Sequence, residues 1–397
     1  MQATARHAPR KIVAPDAAVR AVDLAKDVFE RASADGNYRV LARERLGRRE
    51  LASCLDNRAC IEVVMEACGS AHHRARRFAR AGHQPVLLPA HDVRPFVRRR
   101  KTDRTDAAGL LEARRCADIR PLPVKTTGQQ AVQALHRIRE HYKTQRTASI
   151  KLLRGFLREF GIIIPTGAAK ARPAALVALE DADNELAVDL RQVLASVLDR
   201  IQADEAAMAC IEQQLVEHAR GDLRAQRHLA AGGIGVITAT ALSASCGELK
   251  RFPSGRHFAS SLGLAPRVDA SGHTTRLGRI IKRGDRYLRT PLVHGARAEL
   301  RAAAVARTKS KPLDRTPAWA LVLADKAGQN VAAIALANKT GRRLWAAEKY
   351  GERFDPNHVS PSPDRHRTTD HPKPTLPRVA NLSISCPVCR SPKQTSR

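Results

Sequence analysis

The first part of the chain, up to Cys116, alternates between short apolar runs typical of β-strands and segments with helical periodicity. Helical segments follow the fourth run, from Gly69 to Gly82, and the fifth run, from Thr102 to Cys116. Strands that come first and then alternate with helices predict a mixed sheet with helices packed on it. The strand-like runs are Val19 to Leu24, Asp27 to Arg31, Tyr38 to Leu41, Cys60 to Met65 and Pro85 to Leu88.

The middle of the chain is predicted to be helical. Gln129 to Phe160 is one periodic segment, and a later helix carries a seam of apolar residues spaced alternately by four and three positions. This spacing is typical of a coiled coil of about four heptads, which could join two copies of the chain. The alternative is a long helix that packs within its own chain. The seam consists of Leu190, Leu194, Val197, Ile201, Asp204, Met208, Ile211 and Leu215, with Asp204 as its one polar position.

The chain is strongly basic: its 397 residues include 69 Lys and Arg against 39 Asp and Glu, a formal net charge of +30. The segments His72 to Arg104 and Lys250 to Arg289 hold much of this excess, and the acidic segment Glu180 to Asp222 lies between them. Such a charge favours nucleic acids or anionic membranes as partners. Because no basic amphipathic helix with an aromatic face is evident, we expect nucleic acid and no membrane.

Length and composition exclude several classes of protein. The length predicts two or three domains. With only 8 Phe, 4 Tyr and 2 Trp, stacking of bases on aromatic side chains cannot be the main binding mode. No apolar run approaches the ~18 residues of a membrane span, and no signal peptide follows the basic start. The 8 cysteines are too sparse for a disulfide framework, so we expect a cytoplasmic protein.

Four carboxylates stand out by their position in the predicted elements. Asp23 interrupts an apolar strand, Glu66 ends another, and Asp103 and Asp106 are three positions apart in one helix. This helical spacing brings two like charges to within ~5–6 Å at their Cβ atoms, and a divalent cation would remove the repulsion. Such a set suits a two-metal Mg²⁺ site acting on a phosphodiester, whereas the alternative is a surface neutralised by neighbouring arginines. Competing carboxylates are Asp27, Glu62 and Asp92.

A second constellation begins at Ser271-Gly272-His273 and continues into a run of basic residues. If this run is helical, four of its arginines fall at i, i+3, i+7 and i+10 and form one stripe that suits a phosphate backbone. Ser271 is then either a hydroxyl nucleophile or a helix cap, and no adjacent base decides between the two. The stripe is Arg276, Arg279, Arg283 and Arg286, with Lys282 beside it; other hydroxyls nearby are Ser243, Ser254 and Ser261.

Three smaller features have weaker implications. The glycines from Gly232 to Gly235 resemble the turn of a helix-hairpin-helix, whose amides bind phosphate without reading sequence. Cys386 and Cys389 have the spacing of half a zinc site, but no second pair follows, so we expect them to bind no metal. Apolar periodicity ends near Asp355, and the composition after it predicts a disordered tail.

Two sets of short motifs, in a fixed order, extend from about Ala21 to Ala298. The first set includes Val22-Asp23-Leu24-Ala25-Lys26-Asp27, Met65-Glu66-Ala67-Cys68-Gly69-Ser70 and Lys101-Thr102-Asp103-Arg104-Thr105-Asp106-Ala107. The second set includes Leu262-Gly263-Leu264-Ala265-Pro266, Ser271-Gly272, Leu277-Gly278-Arg279-Ile280 and Tyr287-Leu288-Arg289. The first set resembles the RuvC-like DEDD domain of the IS110/Piv insertion-sequence transposases, and the second resembles the C-terminal domain of the same family.

The resemblance implies a ribonuclease-H-like fold in which Asp23, Glu66, Asp103 and Asp106 bind Mg²⁺, with two ions expected. It also implies that Ser271 attacks a DNA phosphodiester to form a phosphoserine link, which strand exchange then reverses on a new end. Members of the family act on double-stranded DNA with a structured guide RNA and form dimers that assemble into a tetramer. The residues expected to contact nucleic acid are Lys101, Arg276, Arg279, Lys282, Arg283 and Arg286.

The predicted fold is α/β plus α. It comprises a ribonuclease-H-like (RuvC-like) mixed sheet in residues 1–128, a helical or coiled-coil arm in 129–228, a mainly helical C-terminal domain with a helix-hairpin-helix-like segment in 229–350, and a disordered tail in 351–397. Two alternatives to a serine transposase remain. One is a RuvC-like nuclease in which a metal-bound water attacks and Ser271 only caps a helix. The other is an inactive nucleic-acid-binding relic whose carboxylates bind no metal.

Overall fold

Five strands near the start of the chain form one mixed sheet. The computed structural model describes residues 18–55, 59–97, 103–271, 274–355 and 357–358. The strands are β1 (Val19–Leu24), β2 (Val28–Ala34), β3 (Val40–Gly47), β4 (Glu62–Glu66) and β5 (Gln84–Leu88). Their order is β3-β2-β1-β4-β5; β1, β2 and β3 are antiparallel, whereas β1, β4 and β5 are parallel. The predicted mixed sheet is confirmed, and each strand overlaps a predicted run.

Helices cover both faces of this sheet. They are α1 (Arg48–Ser53), α2 (Ala71–Arg80), α3 (Ala90–Val93) and α4 (Asp103–Arg115). Successive strand residues face opposite sides, so the core of the sheet has two layers. Met65 packs with Phe78 of α2 in one layer, and Ala21 packs with Leu110 of α4 in the other. The carboxyl ends of the parallel strands are therefore flanked by α2 on one face and by α4 on the other.

A helical arm follows the sheet and comprises α5 (Thr127–Glu159), α6 (Ala168–Glu180) and α7 (Val188–Gly221). The predicted seam of α7 packs within the chain: Leu194 and Ile201 share a buried cluster with Leu153 of α5. The seam therefore packs within its own chain, as the alternative interpretation predicts. A coiled coil between two copies stays a prediction. Asp204 is buried in the seam, and Arg200 lies 3.2 Å from its carboxylate, one helical turn away.

The rest of the described chain is helical apart from one hairpin of two strands. Its elements are α8 (Leu223–Leu229), α9 (Val236–Cys246), α10 (Gly255–Ser261), β6 (Pro266–Ser271), β7 (Thr274–Ile280), α11 (Arg286–Thr308), α12 (Arg315–Ala327) and α13 (Gln329–Tyr350). Phe258 of α10 and Leu336 of α13 are fully buried in the core of this region. The indole nitrogen of Trp345 donates to the carbonyl oxygen of Phe252 at 3.0 Å, which fastens α13 to the segment before α10.

The segment predicted to resemble a helix-hairpin-helix consists of α8, a turn and α9. Gly233 in this turn has φ = +72°, in the left-handed region that favours glycine. The turn lies directly on α11, where a Cβ at Gly295 would overlap the carbonyl oxygen of Gly233. Glycine at both positions therefore lets the turn approach the helix.

Some predictions fall on residues outside the described ranges. These are Lys101, Gly272, His273 and the tail that holds Cys386 and Cys389. The predicted domain boundaries also stay predictions. In the part of the chain that the structure describes, no helix is both long enough and apolar enough to cross a membrane.

Candidate active site

Asp23 and Glu66 lie side by side at the carboxyl edge of the sheet. Strands β1 and β4 are parallel, and the last pair in their register is Val22 with Met65. Asp23 and Glu66 each follow a member of this pair, and both side chains are half-buried. The sequence pattern predicts both residues at this edge, and the structure brings them together there.

Their side chains lie on the face of the sheet that α4 covers. Residues two apart in a strand share a face. Ala21 and Val64, two positions before Asp23 and Glu66, both pack in the cluster that contains Leu110 of α4. The two carboxylates are therefore directed to the same side of the sheet as α4.

The direction of α4 brings its first turn to these carboxylates. Near the end of the helix, Arg114 binds Glu62 with Nε 3.0 Å from Oε1 and Nη2 2.9 Å from Oε2. From Arg114 back to Asp106 the helix rises ~12 Å, and from Glu62 to Glu66 the strand extends ~13 Å. Asp106, which is half-buried, is thus level with Glu66.

The competing carboxylates are occupied in other ways or lie on other elements. Glu62 begins β4, at the opposite edge of the sheet, where Arg114 holds it. Asp27 is exposed and lies 3.3 Å from the guanidinium of Arg48. Asp92 belongs to the short helix α3, and the His91 ring nitrogen is 3.0 Å from its carboxylate. Of these candidates, Asp23, Glu66 and Asp106 are the ones that share the edge next to α4.

The described side chains do not by themselves form the predicted magnesium site. Within the described residues, no three His, Cys, Asp or Glu side chains form a group that could hold a metal ion. Asp103 begins α4, one turn before Asp106, but its side chain lies outside what the structure describes. Asp23, Glu66 and Asp106 offer carboxylate oxygens, which is the chemistry that suits Mg²⁺.

Ser271 lies in a β-hairpin, so the two helical predictions made around it are wrong. It is the last residue of β6, pairs with Thr274 of β7 and is exposed. It therefore caps no helix. The arginine stripe does not form either, because residues 274–280 are a strand in which Arg276 and Arg279 face opposite sides. Thr274 and Thr275 are β-branched and favour a strand, Gly278 disfavours a helix, and Asp269 lies directly across from Arg276.

The basic residues after β7 gather at the root of this hairpin. Lys282 has φ = +54°, and its amide donates to the carbonyl oxygen of Gly263 at 3.2 Å. The side chain of Asp285 then caps α11 by accepting a hydrogen bond from the amide of Leu288 at 3.1 Å. The exposed cations at the root are Lys282, Arg283 and Arg286, and Arg276 and Arg279 are exposed along β7.

The structure does not join Ser271 to the carboxylates within one chain. In the described residues, β6 pairs with β7 in a two-stranded sheet of their own, which is not the sheet that holds Asp23 and Glu66. The chain thus presents two separate groups: carboxylates at the edge of the sheet and a hydroxyl on an exposed hairpin with a basic root.

The buried residue that fastens the hairpin root to the arm is not among those predicted from the sequence. The side chain of His136, on α5, is 1% exposed and lies between Thr240 of α9 and Tyr287 of α11. Burial is the main cause that lowers the pKa of His136 to about 4 and raises the pKa of Tyr287 to about 12. The available signal is a histidine one turn after Val132, on the apolar face of α5.

Two family models match the regions of the chain that hold the carboxylates and Ser271. Residues 21–162 match the transposase model for the DEDD domain of IS110 elements. Residues 228–311 match the model described as "Transposase IS116/IS110/IS902 family". The first of these matches contains the sheet and its carboxylates, and the second contains the Ser271 hairpin.

Curated relatives cover most of the chain. A protein of Pseudomonas aeruginosa called "Probable family 20 transposase" is 42% identical over 335 residues, which is 82% of this chain and 95% of that protein. The transposase for insertion sequence element IS1111A of Coxiella burnetii is 35% identical and covers 83% of this chain and 89% of its own length. The transposase for IS1328 of Yersinia enterocolitica is 33% identical over 86% of this chain and 99% of its own length. With two matching domains and relatives of this extent, the chain belongs to the IS110/IS116/IS902 family of insertion-sequence transposases.

Proposed function

We propose that this transposase cuts and rejoins double-stranded DNA with Ser271 as its nucleophile. The observation that supports this role is the exposed position of Ser271 at the end of β6, above a root of exposed cations that suit phosphate. The Ser271 hydroxyl oxygen would attack the phosphorus atom and lose its proton, and the DNA hydroxyl that leaves would take up a proton. Reversal of this step on a new DNA end completes strand exchange.

We assign the Mg²⁺ site to Asp23, Glu66, Asp103 and Asp106, in a ribonuclease-H-like (RuvC-like) domain. The order of the five strands and the shared side of Asp23, Glu66 and α4 support this assignment. When bound, Mg²⁺ would neutralise charge on the phosphoryl group under attack. Two ions are expected. The four carboxylates would hold these ions at the edge of the sheet.

The composite site that we propose needs the hairpin and the sheet edge to meet on the DNA. Because the hairpin is not part of the sheet that holds Asp23 and Glu66, we expect assembly on DNA to bring the two groups together. A dimer that assembles into a tetramer, with a structured guide RNA that pairs with donor and target DNA, is the arrangement that we propose. In this arrangement base pairing reads the sequence, and the protein contacts the backbone.

A direct test incubates the full chain with Mg²⁺, its guide RNA and end-labelled DNA, and measures a denaturant-resistant protein–DNA adduct. Ser271→Ala should abolish the adduct. Thr274→Ala is the matched control, because Thr274 is the hydroxyl residue paired with Ser271 across the hairpin. An adduct that survives Ser271→Ala but not Thr274→Ala would show that the nucleophile is assigned wrongly.

The position of Ser271 on a hairpin outside the sheet of Asp23 and Glu66 also favours a second candidate, a nuclease in which a metal-activated water attacks. This alternative predicts free 5′-phosphate ends that persist in Ser271→Ala. If Mg²⁺ yields no product at all while DNA binding is retained, the chain is an inactive nucleic-acid-binding relic.

A further inference from the structure

A basic surface forms on the last helices that the structure describes, around Trp319 of α12. The ammonium nitrogen of Lys339, on α13, lies 4.3 Å from the centre of the Trp319 ring. Trp319 is 39% exposed, so this contact is at the surface. A cation over an indole ring is held by the negative face of the ring, at ~0.5–1 kcal/mol for exposed sites. Lys339 is therefore a positioned charge rather than a freely moving one.

Three guanidinium groups act on the charge of Lys339. Burial lowers the pKa of its ammonium group, and so do the nearby guanidinium groups of Arg343, Arg315 and Arg342, in that order. Like charges brought this close repel, and bound phosphate would relieve the repulsion.

Arg343 has a separate role inside the protein. Its guanidinium donates to the hydroxyl of Thr316 and to the carbonyl oxygen of Asp355, both at 2.5 Å, and lies over the ring of Phe354. We therefore leave Arg343 out of the binding surface. Arg342, the residue before it, is exposed.

Helix α10 adds a further cation beside Arg342. A Cβ at Gly255 would lie 2.9 Å from the carbonyl oxygen of Arg342, so the two helices touch at this point. Arg256 follows Gly255 and is exposed. We define the Trp319 surface as Arg256, Trp319, Lys339 and Arg342, which three helices supply. Trp319, Lys339 and Arg342 lie beyond residues 228–311, the segment that the second family model matches.

We propose that the Trp319 surface binds the phosphate backbone of double-stranded DNA, in addition to the cations at the root of the Ser271 hairpin. The proposal rests on the DNA-binding part of the proposed function but not on its chemistry. A duplex is favoured over a single strand because Lys339 covers one face of the indole ring, whereas unpaired bases bind to open aromatic faces. Phosphates of a duplex require only positioned cations, and these carry no base-specific information.

The test measures binding of a short duplex of random sequence to the full chain by fluorescence anisotropy, across a series of salt concentrations. The triple variant Arg256→Ala, Lys339→Ala and Arg342→Ala should bind all sequences more weakly. The slope of log affinity against log salt should become shallower by ~0.9 for each phosphate that the variant no longer neutralises, or up to ~2.7 for three. Arg256→Lys with Arg342→Lys keeps the charges and should keep a slope close to that of the unmodified chain.

A matched control removes three cations that are already paired with carboxylates: Arg115→Ala, Lys143→Ala and Lys250→Ala. Their partners are Glu112, Glu140 and Glu248. The net charge changes by the same amount, so an equal effect of both triple variants would overturn the proposal in favour of a general charge effect. An unchanged slope in the Trp319-surface variant would also overturn it.

The assay is made in the Ser271→Ala background without Mg²⁺. A chain that binds duplex DNA through this surface but forms no adduct in the unmodified background would disprove the proposed chemistry and leave this inference intact. Normal adduct formation with an unchanged salt slope would disprove this inference and leave the proposed chemistry intact.

Discussion

The Nδ1 atom of His136 lies 2.7 Å from the hydroxyl oxygen of Tyr287, a residue 151 positions later. On its other side, the Nε2 atom of His136 is 3.0 Å from the hydroxyl of Thr240. Thr240 donates its own proton to the carbonyl oxygen of Val236, so it accepts from His136. The proton of the neutral ring is therefore on Nε2, and Nδ1 accepts from Tyr287. This chain of bonds joins α5, α9 and the start of α11.

The first prediction concerns the hydrogen bond that the Tyr287 hydroxyl donates to Nδ1 of His136. Tyr287→Phe keeps the ring but leaves Nδ1 of His136 buried without a donor, which should lower the free energy of unfolding by about 1–3 kcal/mol. Urea denaturation measures this loss. Tyr350→Phe is the control, because the Tyr350 side chain is exposed and loss of its hydroxyl should change stability little. Equal effects of the two variants would contradict the role of the bond.

The same histidine predicts a loss of stability in mild acid. In the unfolded chain a histidine titrates near 6.5, whereas burial lowers the pKa of His136 to about 4 in the folded chain. Between these values the unfolded state binds more protons, so stability falls as the pH falls through this range. At pH 5 the loss from this residue is about 2 kcal/mol.

His72 has a similarly lowered pKa of about 4, caused first by burial and then by Lys125 and Arg76, and acts in the same direction. Comparison with His136→Gln isolates the part that belongs to His136. Urea midpoints at neutral pH and at pH 5 should differ less in His136→Gln than in the unmodified chain. An identical difference would show that His136 contributes nothing to the acid sensitivity.

The sheet and two of its carboxylates are predictable from the sequence for local reasons. Short apolar runs bounded by turns form strands, and a carboxylate at the end of such a run, as at Asp23 or Glu66, lies at a sheet edge. The Ser271 hairpin is not predictable in this way. Arginines at helical spacing also occur in strands, and the β-branched Thr274 and Thr275 are the better indicators of the actual structure.

Relationships between distant parts of the chain could not be predicted from the sequence. Periodicity places His136 on the apolar face of α5, but it does not show that Tyr287 and Thr240 come to that face. Equally, it does not show that Arg114 of α4 holds Glu62 of β4. Both depend on tertiary packing, which a local pattern does not contain.

The ion pair of Arg114 and Glu62 gives the third prediction. Both side chains are partly buried, and the pair is bidentate, so Arg114→Ala should destabilise the chain by about 1–3 kcal/mol. Because the pair fastens the end of α4 to β4, the variant should also need more Mg²⁺ for half-maximal adduct formation. Arg115→Ala, which removes only an exposed pair with Glu112, is the control for both measurements.

If Arg114→Ala loses stability but keeps its Mg²⁺ requirement, the position of Asp106 does not depend on this pair. Asp106→Asn tests the carboxylate itself. It should abolish the adduct while leaving DNA binding nearly unchanged. Full activity of Asp106→Asn would remove Asp106 from the proposed metal site.

The last prediction concerns the root of the Ser271 hairpin. Gly284 has φ = +132°, and a Cβ there would overlap the carbonyl oxygen of Ser261. Gly284→Ala should therefore cost about 1–3 kcal/mol through backbone strain, and it should displace the basic root from α10. Gly278→Ala is the matched control on β7, where a Cβ would lie 3.6 Å from the nearest atom, in ordinary contact with Arg267. Thermal unfolding and adduct formation are measured on both variants. If Gly284→Ala is as stable and as active as Gly278→Ala, the root need not hold this conformation for Ser271 to act.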